Sequence, residues 1–199
     1  MMLPTHVLAG MLLAAPLVRV APELAPGGVA AGFLGGLVPD LDMYVGHRKT
    51  LHYPVYYAAL AAPAVLAALV APSQLTVGVA FLLLGAALHS VADMYGGGLE
   101  LRPWEGNSDR AVYDHYREDW VAPRRGVRYD GAVEDLALSV GLGVPLLLLV
   151  DPPLRQIVIG TLAVAVVYTV LRRRLAEIAA AVIPLLPSVV DPYLPERYR

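Results

Sequence analysis

Leu75 to Tyr95 reads LTVGVAFLLLGAALHSVADMY, and it stays uncharged until its last turn, where His89 and Asp93 stand four residues apart. About 20 apolar residues cross the hydrocarbon core of a bilayer, so this stretch is predicted to be a membrane helix. Its polar groups are confined to one end. Working outward, the uncharged turn Pro72-Ser73-Gln74 joins it to a second clear span, Tyr53 to Ala71. Further apolar runs lie at Pro4 to Val20, Gly27 to Val38, Ala132 to Val150 and Leu154 to Leu171, with a Pro-broken stretch at Ala176 to Val190 that could span, re-enter or lie in the interface. The expected fold is all-α: a polytopic membrane helix bundle of about five to seven apolar segments. Residues 1–199 are read as one domain, with 96–130 a polar cytoplasmic insertion.

Composition agrees. The chain is 57% hydrophobic and only 16% charged, whereas soluble domains carry about 25% charged residues. Cysteine is absent, which excludes disulfides, thiolate metal sites and cysteine nucleophiles. The net charge of -2 gives no sign of a polyanionic partner, and no nucleic acid is expected. Nothing basic precedes the first apolar run, as a secretory signal would require, so that run is read as a retained helix.

Loop charge sets an orientation. If His6 faces the cytoplasm and each segment crosses once, the inner loops hold Arg48, Lys49, Arg102, Arg110, Arg117, Arg124, Arg125, Arg128 and Arg172 to Arg174. Only Arg19 and Arg155 fall outside, with Arg197 and Arg199 in the tail. That asymmetry fits the positive-inside rule, and it orients a multi-pass membrane protein whose active face is expected to be cytoplasmic. The histidines were not used in this assignment, yet His6, Asp40, Asp42, His47, His52, His89 and Asp93 all land on that one face.

Ionisable groups at membrane depth are costly unless they pair, bind something or face water. Imidazole with carboxylate is also the usual donor set for a catalytic divalent metal. His89 and Asp93 share a helix face by their spacing. Asp40 and Asp42 follow a Pro-terminated helix in PDLDMYVGHRKTLH, which also carries His47 and His52. One of these carboxylates can ligate while the other orients an imidazole. Asp130 and Glu134 repeat the i, i+4 spacing, and metal binding there competes with ordinary first-turn acid placement. Arg48 reads as a fork for phosphate oxygens or as a positive-inside anchor. His115, in the polar block, is read as a solvated surface residue, and Trp104, Tyr113, Tyr116 and Trp120 as an interfacial aromatic belt.

These residues carry a resemblance. LVPDLDMYVGHRKTLHY, followed by LGAALHSVADMYGGGLELRPW, is similar to the YdjM-like family of LexA-regulated, inner-membrane, putative metal-dependent hydrolases, over about the first 105 residues. The resemblance implies His6, Asp40, Asp42, His47, His52, His89 and Asp93 as metal ligands and puts Arg48 at the family's Gly-His-Arg arginine. Met43, Leu51 and Tyr53 depart from its pattern, where relatives carry a further histidine and flanking hydroxyls. More distantly, the order of ligands looks like that of zinc-dependent phospholipase C, in which Asp130 or Glu134 would supply the last one.

The expected function is therefore an integral-membrane, metal-dependent hydrolase of a phosphoester, with a lipid or lipid-linked substrate. The expected cofactor is a divalent metal, zinc first and manganese or magnesium as alternatives. Asp42 or Asp93 would accept the water's proton, and Arg48 would neutralise phosphoryl charge. Two rivals stand beside it: an ion- or proton-handling transporter, and a membrane protein whose metal only staples helices. The transporter predicts polar groups spread through the bilayer depth, and the midplane of each clear span is bare.

Overall fold

The computed structural model describes residues 1–194, so Arg197 and Arg199 lie outside the described residues. The chain is mostly helical. In order come α1 (Leu3–Ala14), the short α2 (Leu17–Val20), α3 (Ala25–Leu37), α4 (Pro54–Val70), α5 (Gln74–Ala92), α6 (Val133–Leu149) and α7 (Pro152–Val182). Proline sits in the first turn of α1, α3, α4 and α7, where its missing N–H costs nothing. Ser73 and Thr76 form a capping box that starts α5 just after the α4–α5 turn.

Among the described residues, three stretches are long and apolar enough to cross a membrane: Leu3–Val20, Gln74–Tyr95 and Pro152–Leu185. Pro54–Val70 is apolar but shorter. Two segment boundaries differ from the sequence reading. α3 has 13 residues, too few to cross alone at about 1.5 Å per residue. Ala176 to Val190 is not a separate segment, because α7 runs unbroken through Arg172 to Arg174 as far as Val182 and dissolves only into 3-10 turns near Pro184 and Pro187. The arginines do not end the helix, since Arg has good helix propensity and Arg172 finds partners inside the protein.

α3 packs between α1 and α5, α4 lies along α5, and α6 lies against α1 and α7. Small residues allow the first of these contacts. A Cβ at Gly32 of α3 would sit 2.1 Å from the carbonyl oxygen of Gly10 in α1, and one at Gly36 would sit 2.5 Å from that of His6. Membrane helices gain little from a hydrophobic drive between themselves and rely on such close backbone approach. Leu8, Met11, Ala14, Val29, Leu146 and Val158 form the buried core, while Leu66, Leu69, Leu148 and Val170 point outward as a lipid-facing surface would require.

The polar block between α5 and α6 carries a small antiparallel hairpin, Val112–Asp114 with Asp119–Val121. It folds back over the segment that follows α3: Tyr113 N–H donates to Arg48 O at 2.9 Å, and His115 Nε2 lies 2.7 Å from Lys49 O. His115 is thus half-buried against Tyr53 and Tyr113 rather than a freely solvated side chain. Trp104 and Trp120 also have local work, Trp104 beneath Arg172 and Arg173 and Trp120 against Tyr113. On the far side of the block, Arg172 makes a two-pronged pair with Asp130, at 3.0 and 3.1 Å, which clamps α7 to it.

Candidate metal centre

α3 cannot continue past Pro39, and the chain tightens into a 3-10 turn over Val38–Tyr44. With three residues per turn, positions two apart point in different directions. Asp40 accordingly faces the ends of α5 and α1, and Asp42 faces the following loop.

That loop is organised by Asp42. Its Oδ1 accepts from His47 Nδ1 (3.0 Å) and Arg48 N–H (3.2 Å), and its Oδ2 accepts from Leu51 N–H (3.0 Å) and His52 Nδ1 (2.9 Å). Gly46 and Arg48 take positive φ values of 65° and 59° to bring these donors round one carboxylate. Burial alone would raise the Asp42 carboxyl, but the hydrogen bonds from His47 and His52 hold it below the ordinary carboxylate range.

The consequence for His52 is specific. An ionised carboxylate only accepts, so Nδ1 carries the proton and Nε2 is turned the other way. His89 repeats the arrangement, with its Nδ1 donating to Gly36 O at 2.7 Å. Both Nε2 atoms are buried and neither has a hydrogen-bond partner. Buried polar atoms are nearly always partnered, and here two orphans face the same point.

Two carboxylates complete the group. Asp40 Oδ1 lies 3.4 Å from His89 Nε2 and 3.8 Å from His52 Nε2, and Asp93 Oδ2 lies 3.4 and 3.6 Å from His52 and His89. Donors held about 2.0–2.2 Å from one tetrahedral ion are about 3.3–3.6 Å from each other. Asp40, His52, His89 and Asp93 therefore have the chemistry and spacing to hold a metal ion. Burial pushes the His52 imidazole down, but its hydrogen bond with Asp42 and the nearby Asp93 carboxylate raise it overall.

The remaining candidates surround this group. His6 puts Nε2 3.0 Å from Asp93 Oδ1 and stacks its ring on His89 at 3.7 Å, so it steadies two members of the group from α1. His47 and Asp42 form the outer layer described above. Arg48 is buried, with Nε 3.2 Å from Asp93 Oδ2 and Nη1 donating to Gly97 O at 2.8 Å. Its guanidinium is tied to a site carboxylate and to the polar block, which is a different placement from a fork held open for phosphate.

Glu134 does not join the site. Arg128 takes both its oxygens, at 2.7 and 3.0 Å, at the exposed start of α6. Asp130 is spent on Arg172 and on Tyr168 Oη. Asp135, which by sequence ranked below Asp130 and Glu134 as a candidate ligand, is fully buried and accepts from Met2 N–H and Thr5 Oγ1, joining α6 to the start of α1. Its only sequence signal was an acid in the first turn of an apolar helix.

Asp42→Asn is expected to test the orienting role. An amide presents only one acceptor oxygen to four donors, so His52 loses its fixed tautomer. Metal affinity, measured by competition with a chromogenic chelator, should fall about 10–100-fold, as it does when a partner behind a ligand is removed. Unchanged affinity would show that Asp42 organises only the loop.

Beside the metal group a cavity of about 610 Å³ opens between α1, α3 and α7. Asp40, His47 and Arg48 stand at its polar end. No protein-family model matches this chain, and no curated protein or solved structure matches it, so the reading of the site rests on its own geometry.

Proposed function

We propose that this protein is a membrane-embedded, metal-dependent hydrolase that cleaves a phosphoester at one membrane face, the cytoplasmic one by the distribution of loop arginines. The observation that carries the proposal is the pair of orphaned imidazole Nε2 atoms, buried with two carboxylates of which one, Asp40, borders a cavity. A site that only stapled helices would need no cavity beside one of its donors, and Asp40, the donor that borders the cavity, is also the one most exposed. The family resemblance read in residues 1–105 points the same way.

A divalent ion held by His52, His89 and Asp93, with Asp40 on the cavity side of the group, would lower the pKa of water towards about 7 and polarise the phosphoryl oxygen; the mixed nitrogen and oxygen donors suit zinc. The protein's own groups then divide the work. Asp42 has its oxygens committed to four donors and cannot be the proton acceptor. Asp93 is similarly engaged by His6 and Arg48. Asp40 is the most exposed carboxylate of the four and borders the cavity, so it takes the proton as the water oxygen bonds to phosphorus. The ester P–O bond breaks, and that proton leaves with the alcohol. Arg48 holds Asp93 in register through the contact of Nε with Oδ2.

The test is metal removal from the reconstituted protein. Chelation should abolish release of inorganic phosphate from a long-chain alkyl phosphate, and zinc or manganese should restore it. Phosphate release that persists without metal, or that no divalent ion restores, would overturn the proposal.

A further inference from the structure

Asp40, His47, Arg48 and Asp130 supply the cavity's charged and ionisable side chains, and most of the rest of its lining is apolar. Away from Asp40 and His47 it is walled by Val7 of α1 and by Phe33 and Leu37 of α3, and its outer wall is a stripe of α7: Ile157, Gly160, Thr161, Val164 and Tyr168. These positions follow the i, i+3, i+4, i+7 spacing of one helix face. From Ile157 to Tyr168 the stripe runs about 16 Å along the helix at about 1.5 Å per residue. An inward stripe of this kind normally packs. Here Ile157 and Val164 keep 43% and 57% of their surface exposed, so the stripe lines the cavity without filling it. Gly160 has no atom within 4 Å of the place a Cβ would occupy.

We infer that this gap is the tail channel of the site, and that its occupant is the hydrocarbon chain of a phosphate-bearing lipid substrate. The class follows from the layout: an apolar channel in a span open to the bilayer, ending beside Asp40 at a metal group, whose ion is the element suited to phosphoryl oxygens. A volume of about 610 Å³ also falls within the roughly 300–1,000 Å³ of small-molecule sites. A short, water-soluble phosphoester would leave the apolar length of the channel unfilled. The inference rests on the hydrolase reading and adds where the substrate's tail lies.

The experiment uses hexadecyl phosphate carrying a diazirine at its terminal carbon, mixed into phosphatidylcholine vesicles that hold the full-length protein. After illumination, labelled peptides are mapped by mass spectrometry. Label is expected on α3 near Phe33 and on the Ile157–Val164 face of α7. Gly160→Trp fills the channel and should cut that labelling by about tenfold or more, since the ring occupies the space the chain requires. Gly141→Trp, on α6 in equally open surroundings, should leave it unchanged. Metal content reports whether the Trp variant folds, and Gly160→Leu replaces it if it does not. Label confined to outward residues such as Leu66 and Leu69, or indifferent to the Gly160 variants, overturns the inference. The two readings separate cleanly. Channel labelling without phosphate release in any metal sinks the hydrolase alone, and phosphate release without channel labelling sinks the channel alone.

Discussion

His89→Ala and His52→Ala are each expected to empty the metal centre. Wild-type protein purified in detergent should carry close to one equivalent of zinc or manganese by mass spectrometry, and either variant close to none. The expectation follows from how each donor is held. His89 is pinned by Gly36 O and His52 by Asp42, so each offers an already oriented Nε2 at no cost in ordering. Removing one leaves three donors and a void at the centre of a buried, acidic cluster. The loss in affinity should exceed the roughly 100-fold upper end for partners that act only behind a ligand. Helical circular dichroism of each variant separates metal loss from unfolding, because His52 and His89 are fully buried and truncation leaves a void. His6→Ala should be milder, since His6 contacts the group through Asp93 and through stacking. Metal retained at wild-type levels in both alanine variants would mean that the two orphaned nitrogens are a cost the fold bears for some other reason.

Gly32→Leu should be the most damaging substitution outside the site. The Cβ alone would lie 2.1 Å from Gly10 O, and that neighbour is backbone, so no rotamer relieves the clash. α1 and α3 would have to separate. The cost should exceed the usual 1–3 kcal/mol or so of overpacking, because the same contact places His6 and the start of the Asp40 turn. Thermal unfolding in detergent, followed by the fluorescence of Trp104 and Trp120, should shift sharply downward, with metal content lost in parallel. Gly78→Leu on α5, where nothing lies within 4 Å, supplies the contrast and should be close to neutral. Equal behaviour of the two variants would remove close packing of α1 on α3 as the reason the site assembles.

What the sequence determined by itself was helical class, apolar character and the gathering of polar chemistry at one end of the bundle. These are properties of local pattern. Hydropathy over about 20 residues marks a span, and a bare midplane with His89 and Asp93 in the last turn says which end is polar. The sequence also supplied each member of the four-residue metal group, because imidazoles and carboxylates are conspicuous in such apolar surroundings.

Only tertiary structure could sort these residues into roles. Asp40 and Asp42 are alike by sequence, and the direction of a 3-10 turn makes one a donor to the centre and the other the hub of the loop. Glu134 and Asp130 matched the spacing of His89 and Asp93, but Arg128 and Arg172, far from obvious as partners in one dimension, claim them. Arg48 carried the label of a phosphate fork until its guanidinium was found tied to Asp93 and Gly97. The cavity gathers residues of α1, α3 and α7 from both halves of the chain, and the Arg172–Asp130 pair that holds α7 to the polar block joins residues 42 apart. Spacing reports which side chains share a face of one element; the partner each side chain takes is fixed by how separate elements pack.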